Sequence, residues 1–389
     1  MTPIDPAALR THYRRFLRED RILLTGHSHQ AWPDAAERGL LAAFADAAEH
    51  VDDKWSRAAA RADVLRRAVA AALATPGRPV APDEIALATN SHELTTRVLS
   101  ALDWRRGRHL VTTDGEFHSL RRQLLRLAEA GAEISFVPVE PITTLAARMA
   151  QAVRPDTIGL LASTVLYRTA AIVPHLEEAI TAAHRVGAAV LLDAYHAFNV
   201  VPQPLAALGP DPVFVTGGGY KYAQWGEGCC WLRVPPGCAL RPMHTGWFSD
   251  FAGLDGKQGD RIGYGRTGAD RFAGSTYDPA SHYRAAAVVE FFAEQQLTLD
   301  RLRALSQHQT SRLTAALADL DLVSPREAHD RGGFVTVRHP AAREAVAALR
   351  ACGIYTDARD DLLRLGPAPY ITDDALDAAA AAVRALLGP

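Results

Sequence analysis

The sequence predicts an α/β protein with a mostly parallel central sheet in a large domain and a smaller α+β C-terminal domain. Short, continuously apolar runs alternate with amphipathic segments through the middle of the chain, which is typical of parallel strands covered by helices on both faces. A length of 389 residues suits a large and a small domain together. The hydrophobic fraction of 48% supplies enough apolar surface for a sizeable core and excludes disorder of the whole chain.

The central elements follow one another in a regular order. The predicted strands are EIALATN, HLVTTDG, ISFVPV, TIGLLASTVL, AAVLLDAYH, PVFVTGGG and CCWLRVP. The predicted helices between them are SHELTTRVLSALDW, SLRRQLLRLAEAG, TTLAARMAQAV and LEEAITAAHRVG. This alternation places the carboxyl ends of most strands at one edge of the sheet, where open α/β proteins bind ligands.

The two ends of the chain have a different texture. Residues 34–74 have a helical pattern that is too long for one ordinary helix, so we expect a break near Val51 to Asp53. The Gly/Asp-rich stretch 253–270 predicts a loop, and FVTVRH and DALDAAAAAVRALLGP predict a strand and the closing helix. We expect an N-terminal segment (1–45) that packs with the small domain, a large domain (46–280) and a small C-terminal domain (281–389).

Composition excludes several classes of function. The 42 basic and 44 acidic residues give a net charge of −2, which argues against a dedicated nucleic-acid binder. Four cysteines without CxxC spacing argue against a disulfide scaffold and a structural zinc site, and we expect no metal. We expect no leader peptide, no membrane span and a cytoplasmic location, because the N-terminus and the chain lack long apolar segments.

Lysine chemistry has only three candidates in this chain: Lys54, Lys221 and Lys257. Lys221 follows an apolar strand and a run of three glycines, which allow a backbone to approach a ligand closely. A partly desolvated lysine at a strand end has a depressed pKa and can form a Schiff base. Taken alone, the pattern favours an exposed loop lysine over a reactive one.

Asp193 ends another strongly apolar strand, 28 residues before Lys221. A carboxylate buried there needs a cationic partner, and the protonated pyridine nitrogen of pyridoxal phosphate (PLP) would be one. The alternative is a helix-capping or loop-end aspartate. His196 would touch the same ring system or be a core histidine with satisfied hydrogen bonds.

Three further patterns are individually ambiguous. Ser91 and His92 open a helix after a strand, which suits a phosphate at a helix N-terminus or an ordinary N-cap. Phe117 follows another strand end, where an aromatic ring would stack on a planar cofactor or pack into the core. Arg364 lies in an apolar run of the small domain and would bind a substrate carboxylate or form a structural ion pair.

In this order the motifs resemble the class V, fold-type I (aspartate aminotransferase-like) PLP-dependent enzymes, and among them the kynureninases. The matches that carry the resemblance are DAYHAFN (193–199), GGGYKYAQWGEG (217–228), TGWF (245–248), FAGSTYDP (272–279) and RLGPAPY (364–370). The resemblance runs from about residue 20 to the end of the chain.

The resemblance implies a role for each motif. Lys221 would bond to PLP and later move the substrate's α proton, Asp193 would bind the pyridine nitrogen, and His196 would lie near both. Phe117 would stack on the ring. The phosphate would be held by Ser91, His92 and Tyr220, with Ser275 and Thr276 from the other subunit of a homodimer. Trp247 would also contact the cofactor, and Arg364, Ser28 and His27 would bind the substrate.

Three departures from the kynureninase pattern affect the substrate side of the site. The family's Phe-Pro-Thr-Asp is Phe117-His118-Ser119-Leu120 here, so its aspartate is missing. The family's Asn-Ser pair near the N-terminus is His27-Ser28, and its Ser-Asn pair is Ser275-Thr276. The resemblance therefore implies the cofactor more directly than the substrate.

The resulting hypothesis is a PLP-dependent hydrolase that cleaves the Cβ–Cγ bond of kynurenine or an analogue to alanine and a carboxylic acid. A C–S lyase, an aminotransferase and an epimerase are alternatives within the fold. A desulfurase that forms a persulfide is disfavoured, since Cys352 lies at a predicted helix end. A PLP-binding regulator is disfavoured because too few residues precede the sheet for a DNA-binding module, and a scaffold without cofactor because Asp193 and Lys221 are intact.

Overall fold

The large sheet has seven strands in the order β2-β8-β7-β6-β5-β3-β4. The computed structural model describes residues 3–256 and 260–388, so Lys257 lies outside the described residues. The strands are β1 (Ile22–Leu23), β2 (Ile85–Ala88), β3 (His109–Thr113), β4 (Glu133–Val137), β5 (Thr157–Ser163), β6 (Ala189–Asp193), β7 (Phe214–Gly218), β8 (Cys230–Arg233), β9 (Val335–Arg338), β10 (Ile354–Tyr355), β11 (Asp357–Arg359) and β12 (Leu362–Leu365). Strand β8 runs antiparallel to both of its neighbours, and the other pairs in the large sheet are parallel.

Helices separate the strands and cover the sheet. They are α1 (Pro6–Arg10), α2 (Ala35–His50), α3 (Lys54–Leu73), α4 (Ser91–Ala101), α5 (His118–Glu129), α6 (Leu145–Ala152), α7 (Leu176–Arg185), α8 (Leu205–Leu208), α9 (Gly268–Arg271), α10 (Ala280–Glu294), α11 (Leu299–Ala316), α12 (Ala342–Ala351) and α13 (Asp373–Leu387). Short 3₁₀ helices span Val51–Asp53, Pro82–Glu84, Ile142–Thr144 and Trp247–Gly253.

The predicted pattern of apolar strands is confirmed, and it builds a core on both faces of the sheet. Alternate residues of a strand point to opposite faces. Accordingly, Leu160 and Val190 belong to one apolar cluster, and their chain neighbours Leu161 and Leu191 belong to the other. The predicted break in the long N-terminal helical stretch is also confirmed, since the 3₁₀ turn Val51–Asp53 separates α2 from α3.

The C-terminal part of the chain contains the three-stranded antiparallel sheet β11-β12-β9, which helix α12 packs against. The N-terminal segment reaches it through the parallel pair β1–β10 and through Tyr13, whose ring lies 4.8 Å from that of Tyr370. Helix α2 also packs along α10. The domain boundaries given above stay a prediction.

In the ranges 3–256 and 260–388, no helix is long and apolar enough to cross a membrane. Across the same residues, the structure contains no group of three or more His, Cys, Asp or Glu side chains arranged to hold a metal ion.

Candidate active site

The carboxyl ends of β2, β3, β6 and β7 converge on one cavity of about 230 Å³. Each strand contributes a residue singled out in the sequence: Ser91 after β2, Phe117 after β3, Asp193 at the end of β6 and Lys221 after β7. The full lining is Thr89, Asn90, Ser91, His92, Phe117, Ser119, Asp193, Tyr195, His196, Tyr220, Lys221, Glu227, Gly228 and Cys230. The sheet therefore brings together Ser91 and Lys221, which lie 130 positions apart in the sequence.

Lys221 is a buried amine in this cavity, with only 4% of its surface exposed. Its Nζ lies 2.8 Å from Nε2 of His196 and 4.5 Å from the centroid of the Tyr195 ring. Burial lowers the pKa of Lys221 to about 7, and the positive charge of Arg364 contributes in the same direction, whereas Asp193 opposes the shift. Lys221 is thus a nucleophilic amine near neutral pH.

His196 is the immediate partner of this amine. Burial, together with the positive charges of Lys221 and Arg364, lowers the pKa of His196 well below its ordinary value. The imidazole is therefore neutral at pH 7 and does not add a second positive charge beside Lys221.

The lowered pKa of Lys221 predicts how the protein without cofactor takes up PLP. The unprotonated amine attacks the aldehyde, so the rate of visible band growth should rise with pH through about 7 and level off above about 8. A lysine of ordinary pKa would keep gaining rate up to about pH 10. Stopped-flow mixing of the protein with PLP between pH 6 and 9 measures this, and a rate that still climbs at pH 9 contradicts the assignment.

Asp193 is fixed at the floor of the cavity by the backbone. The N–H of Tyr195 donates to its Oδ1 at 2.8 Å, which leaves the second oxygen for a ligand. Burial raises the pKa of Asp193, and the hydrogen bond from Tyr195 and the charge of Lys221 act against this rise. A cationic N–H group in the cavity would stabilise the ionised carboxylate further.

The opposite end of the cavity is built for an anion. Helix α4 begins at Ser91, and the side chain of the N-cap residue Asn90 accepts a hydrogen bond from the N–H of Glu93 at 2.9 Å. The remaining free N–H groups of the first turn and the helix dipole favour a phosphate there. Ser91, His92 and Tyr220 line this region, and the ring of Tyr220 stacks on His29 at 5.2 Å.

Arg364 lies beside the cavity rather than in its lining, and it is paired within the chain. Its Nε donates to Oδ1 of Asp357 at 2.9 Å, Nη2 donates to the other carboxylate oxygen, and Nη1 donates to the Tyr167 carbonyl at 2.7 Å. The sequence left two roles open for Arg364, a structural ion pair and the binding of a substrate carboxylate, and the ion pair is present in the structure. Carboxylate binding by Arg364 stays a prediction.

Comparisons with known proteins show that the chain is similar to kynureninases. Residues 300–383 match the model of the kynureninase C-terminal domain family. A kynureninase of Deinococcus radiodurans is 29% identical over 381 residues, which cover 95% of this chain and 90% of the relative. A kynureninase of Pseudomonas fluorescens is 28% identical over 235 residues, covering 57% of this chain and 54% of the relative.

Solved structures share the fold along the whole chain. The cystine C–S lyase C-DES, in complex with its reaction product cysteine persulfide, superposes with a TM-score of 0.82 at 21% identity, covering 97% of this chain and 100% of that one. The apo cysteine desulfurase of Thermococcus onnurineus NA1 gives a TM-score of 0.81 at 17% identity, covering 100% and 98%. The chain is a kynureninase-like, PLP-dependent enzyme of fold type I.

The donor set of the cavity fits PLP. The enzyme offers a buried amine for the aldehyde, a carboxylate for the pyridine nitrogen and a helix N-terminus for the phosphate. Phe117 and His196 flank this space with ring centroids 6.3 Å apart. When bound, PLP would be held by Lys221, Asp193 and the N-terminus of α4.

The structure does not bring every predicted site residue into this cavity. Ser275 and Thr276 line an adjoining cavity that shares only Thr89 and Gly228 with the first, and Trp247 packs on Phe248 and Phe251. Ser28 is partly buried and donates to the Thr25 carbonyl, and His27 is fully buried against Asp357. The roles of these residues in binding stay predictions.

The three glycines before Lys221 make room for neighbouring aromatic side chains. A Cβ on Gly217 would lie 2.6 Å from the Trp231 ring, and one on Gly218 would lie 2.3 Å from the Tyr195 hydroxyl. A Cβ on Gly219 would lie 2.4 Å from the Trp225 ring. Close approach of this backbone to a ligand stays a prediction.

Sequence reasoning missed three residues near the site. Tyr195 orients Asp193 and places its ring under Nζ of Lys221. Glu116 is buried, accepts hydrogen bonds from Thr113 and Ser163, and has its pKa raised to about 7 by burial. Asp357 binds Arg364, and a hint of this pairing was the polar sequence Arg359-Asp360-Asp361, which suits a hairpin turn.

Proposed function

We propose that the enzyme is a kynureninase-like hydrolase that cleaves the Cβ–Cγ bond of an amino acid with a γ-carbonyl group, kynurenine or an analogue. The observation that carries the proposal is the buried Lys221, whose pKa is lowered to about 7, beside Asp193 in one cavity. The similarity to kynureninases over most of the chain supports this choice of reaction. The products would be alanine and a carboxylic acid, which is anthranilate when kynurenine is the substrate.

The residues of the chain itself would have separate roles in the reaction. Bound PLP supplies an aldehyde that bonds to amino groups and a ring that withdraws electrons from the substrate. Lys221 would move the proton at the substrate's Cα, since its lowered pKa of about 7 gives the amine a large unprotonated fraction near neutral pH. Asp193 would hold the proton of the ring nitrogen, and Phe117 would exclude water from one face of the cavity.

The hydrolysis itself balances without a further reactant. Water adds to the γ-carbonyl carbon, and the bond between Cβ and Cγ breaks with its electron pair on Cβ. Cβ then takes up a proton and becomes the methyl group of alanine, and Cγ leaves as the carboxyl carbon of the acid. Arg364 would bind the α-carboxylate of the substrate through the donors that Asp357 leaves free.

Turnover of L-kynurenine by the PLP-loaded enzyme tests the proposal. We expect the growth of anthranilate fluorescence with one alanine formed per anthranilate, and the same with 3-hydroxykynurenine and its hydroxylated product. Formation of an α-keto acid with loss of the visible band would instead indicate an aminotransferase. An intact visible band without any turnover of either compound would contradict kynurenine as the substrate.

We also propose that the enzyme acts as a homodimer in the cytoplasm. Helix α2 exposes Leu41 and Phe44, with 77% of Phe44 accessible, and the 3₁₀ segment Trp247–Gly253 exposes Trp247 and Phe251. Large exposed apolar side chains favour a covering partner, and a second copy of the chain would also bring Ser275 and Thr276 to a neighbouring phosphate. The mass of the enzyme in solution tests the dimer.

A further inference from the structure

Asp357 binds the side chain of Arg364 in a fixed, two-point geometry. The two residues face each other in the antiparallel pair β11–β12, and Arg364 is only 2% exposed. Nε and Nη2 of Arg364 donate to the two carboxylate oxygens, Nε at 2.9 Å. Such a bidentate pair fixes the plane of the guanidinium as well as its position.

His27 holds the carboxylate from the other side. Its Nε2 lies 2.8 Å from Oδ1 of Asp357, and the residue has no exposed surface. Burial and the charge of Arg364 lower the pKa of His27 to about 4, so the ring is neutral and Nε2–H donates. Burial disfavours the ionised form of Asp357, yet the hydrogen bonds from His27 and Arg364 outweigh it and keep the pKa of that carboxyl well below its ordinary value.

The remaining donors of Arg364 are just enough for one more carboxylate. A guanidinium carries five N–H groups. Two of them donate to Asp357 and one, on Nη1, donates to the Tyr167 carbonyl. One N–H is left on each terminal nitrogen, and two adjacent N–H groups match the two oxygens of a carboxylate.

This cluster borders the cavity of Lys221. The ring of Phe334 stacks on His27 at 4.8 Å and lies 6.2 Å from the ring of His196, the partner of Lys221. Tyr167, whose carbonyl accepts from Arg364, packs its ring against Phe117 at 5.3 Å. Arg364 therefore lies next to residues that contact the lining of the Lys221 cavity, and its charge contributes to the lowered pKa of Lys221.

We propose that Asp357 is a positioning residue that fixes Arg364 for the substrate's carboxylate, and that His27 holds Asp357 in place. The inference rests on the proposed function of Arg364. Asp357 fixes the direction in which Arg364 presents its remaining N–H groups, while Arg359, 3.5 Å from the same carboxylate, keeps the cluster positive.

Binding of L-alanine and L-alaninamide to the PLP-loaded enzyme tests the proposal. The two ligands differ only in the carboxylate, and both change the visible absorbance without any carbon–carbon cleavage. In Asp357→Asn we expect the preference for L-alanine over L-alaninamide to fall about 10- to 100-fold, the loss typical of charge-assisted hydrogen bonds. The affinity for L-alaninamide should stay unchanged, which a merely structural role would not produce.

The control is Asp361→Asn, which removes a carboxylate of the same hairpin whose pairing with Arg338 lies at the surface. It should keep the wild-type preference. Asp357→Glu keeps the charge but moves it by one methylene, and it replaces the asparagine variant if that variant fails to fold. It should lose part of the preference for L-alanine over L-alaninamide. His27→Asn should also lose part of it.

Three results would overturn the proposal. The first is a wild-type enzyme that binds L-alanine and L-alaninamide equally well. The second is a preference for L-alanine that stays unchanged in both Asp357 variants. The third is an equal loss of affinity for both ligands in the Asp357 variants. Absence of kynurenine turnover with a retained preference for L-alanine would contradict the proposed function alone, because alanine binding requires no hydrolysis.

Discussion

Lys221→Ala is expected to remove the visible absorbance of the bound cofactor and to reduce turnover about 10⁴-fold. The side chain supplies both the amine that bonds to the aldehyde and the base at the substrate's Cα. The chain contains two other lysines, Lys54 and Lys257. Absorbance spectra of the purified variant after incubation with PLP, together with steady-state rates, measure both effects.

Lys54→Ala is the matched control. Lys54 begins helix α3 and lies 5.8 Å from the ring centroid of Trp55, outside the Lys221 cavity. We expect this variant to keep both the visible band and the rate. A Lys221→Ala protein that retains a visible band and full activity would refute the central role of Lys221.

Lys221→Arg separates charge from nucleophilicity. An arginine stays protonated at every accessible pH and does not bond to an aldehyde as an amine does. The variant should therefore lack the covalent band like the alanine variant. If it recovered activity, the role of Lys221 would be to supply positive charge.

Much of the cofactor side of the site follows from local sequence because a parallel sheet converts order along the chain into proximity. Asp193 and Lys221 each follow an apolar strand, and parallel strands place such positions at one edge. Phe117 and Ser91 follow the same rule. The pattern thus placed four candidates at strand ends, the resemblance to kynureninases implied their roles, and all four line the cavity.

The substrate side of the site is harder to predict from the sequence because it depends on contacts between distant segments of the chain. The partner of Arg364 is decided by the register of a hairpin and by His27, which lies 330 residues before Asp357 in the chain. Neither contact leaves a periodic pattern in the sequence. The antiparallel direction of β8 is likewise decided by its pairing with β2 and β7 and not by its apolar composition.

Asp193→Asn is expected to keep the cofactor band but to reduce turnover about 10³-fold. Asparagine preserves the shape of the side chain and still accepts a hydrogen bond from the Tyr195 N–H, so the fold should tolerate it. It carries no charge to hold a proton on the ring nitrogen. Loss of one partner of a buried ion pair costs about 4 kcal/mol, which corresponds to about three orders of magnitude in rate.

Acidification should reduce turnover, as the Asp193→Asn substitution does. Because burial raises the pKa of Asp193 above its ordinary value, the carboxylate takes up a proton at a higher pH than an exposed aspartate does. The contribution of its charge is present above the folded-state pKa and is lost as pH falls through it. The asparagine variant should lose this acidic limb of the pH–rate profile.

Asp193→Glu provides the decisive comparison, since it restores the charge one methylene further into the cavity. Partial recovery of turnover relative to asparagine would show that charge at this position, and not the shape of the side chain, supports the reaction. Equal activity of the wild type and the asparagine variant, with the same pH profile, would exclude Asp193 as the partner of the ring nitrogen. The cavity would then need another anion, and Glu116, buried nearby with its pKa raised to about 7, is the next carboxyl group to replace.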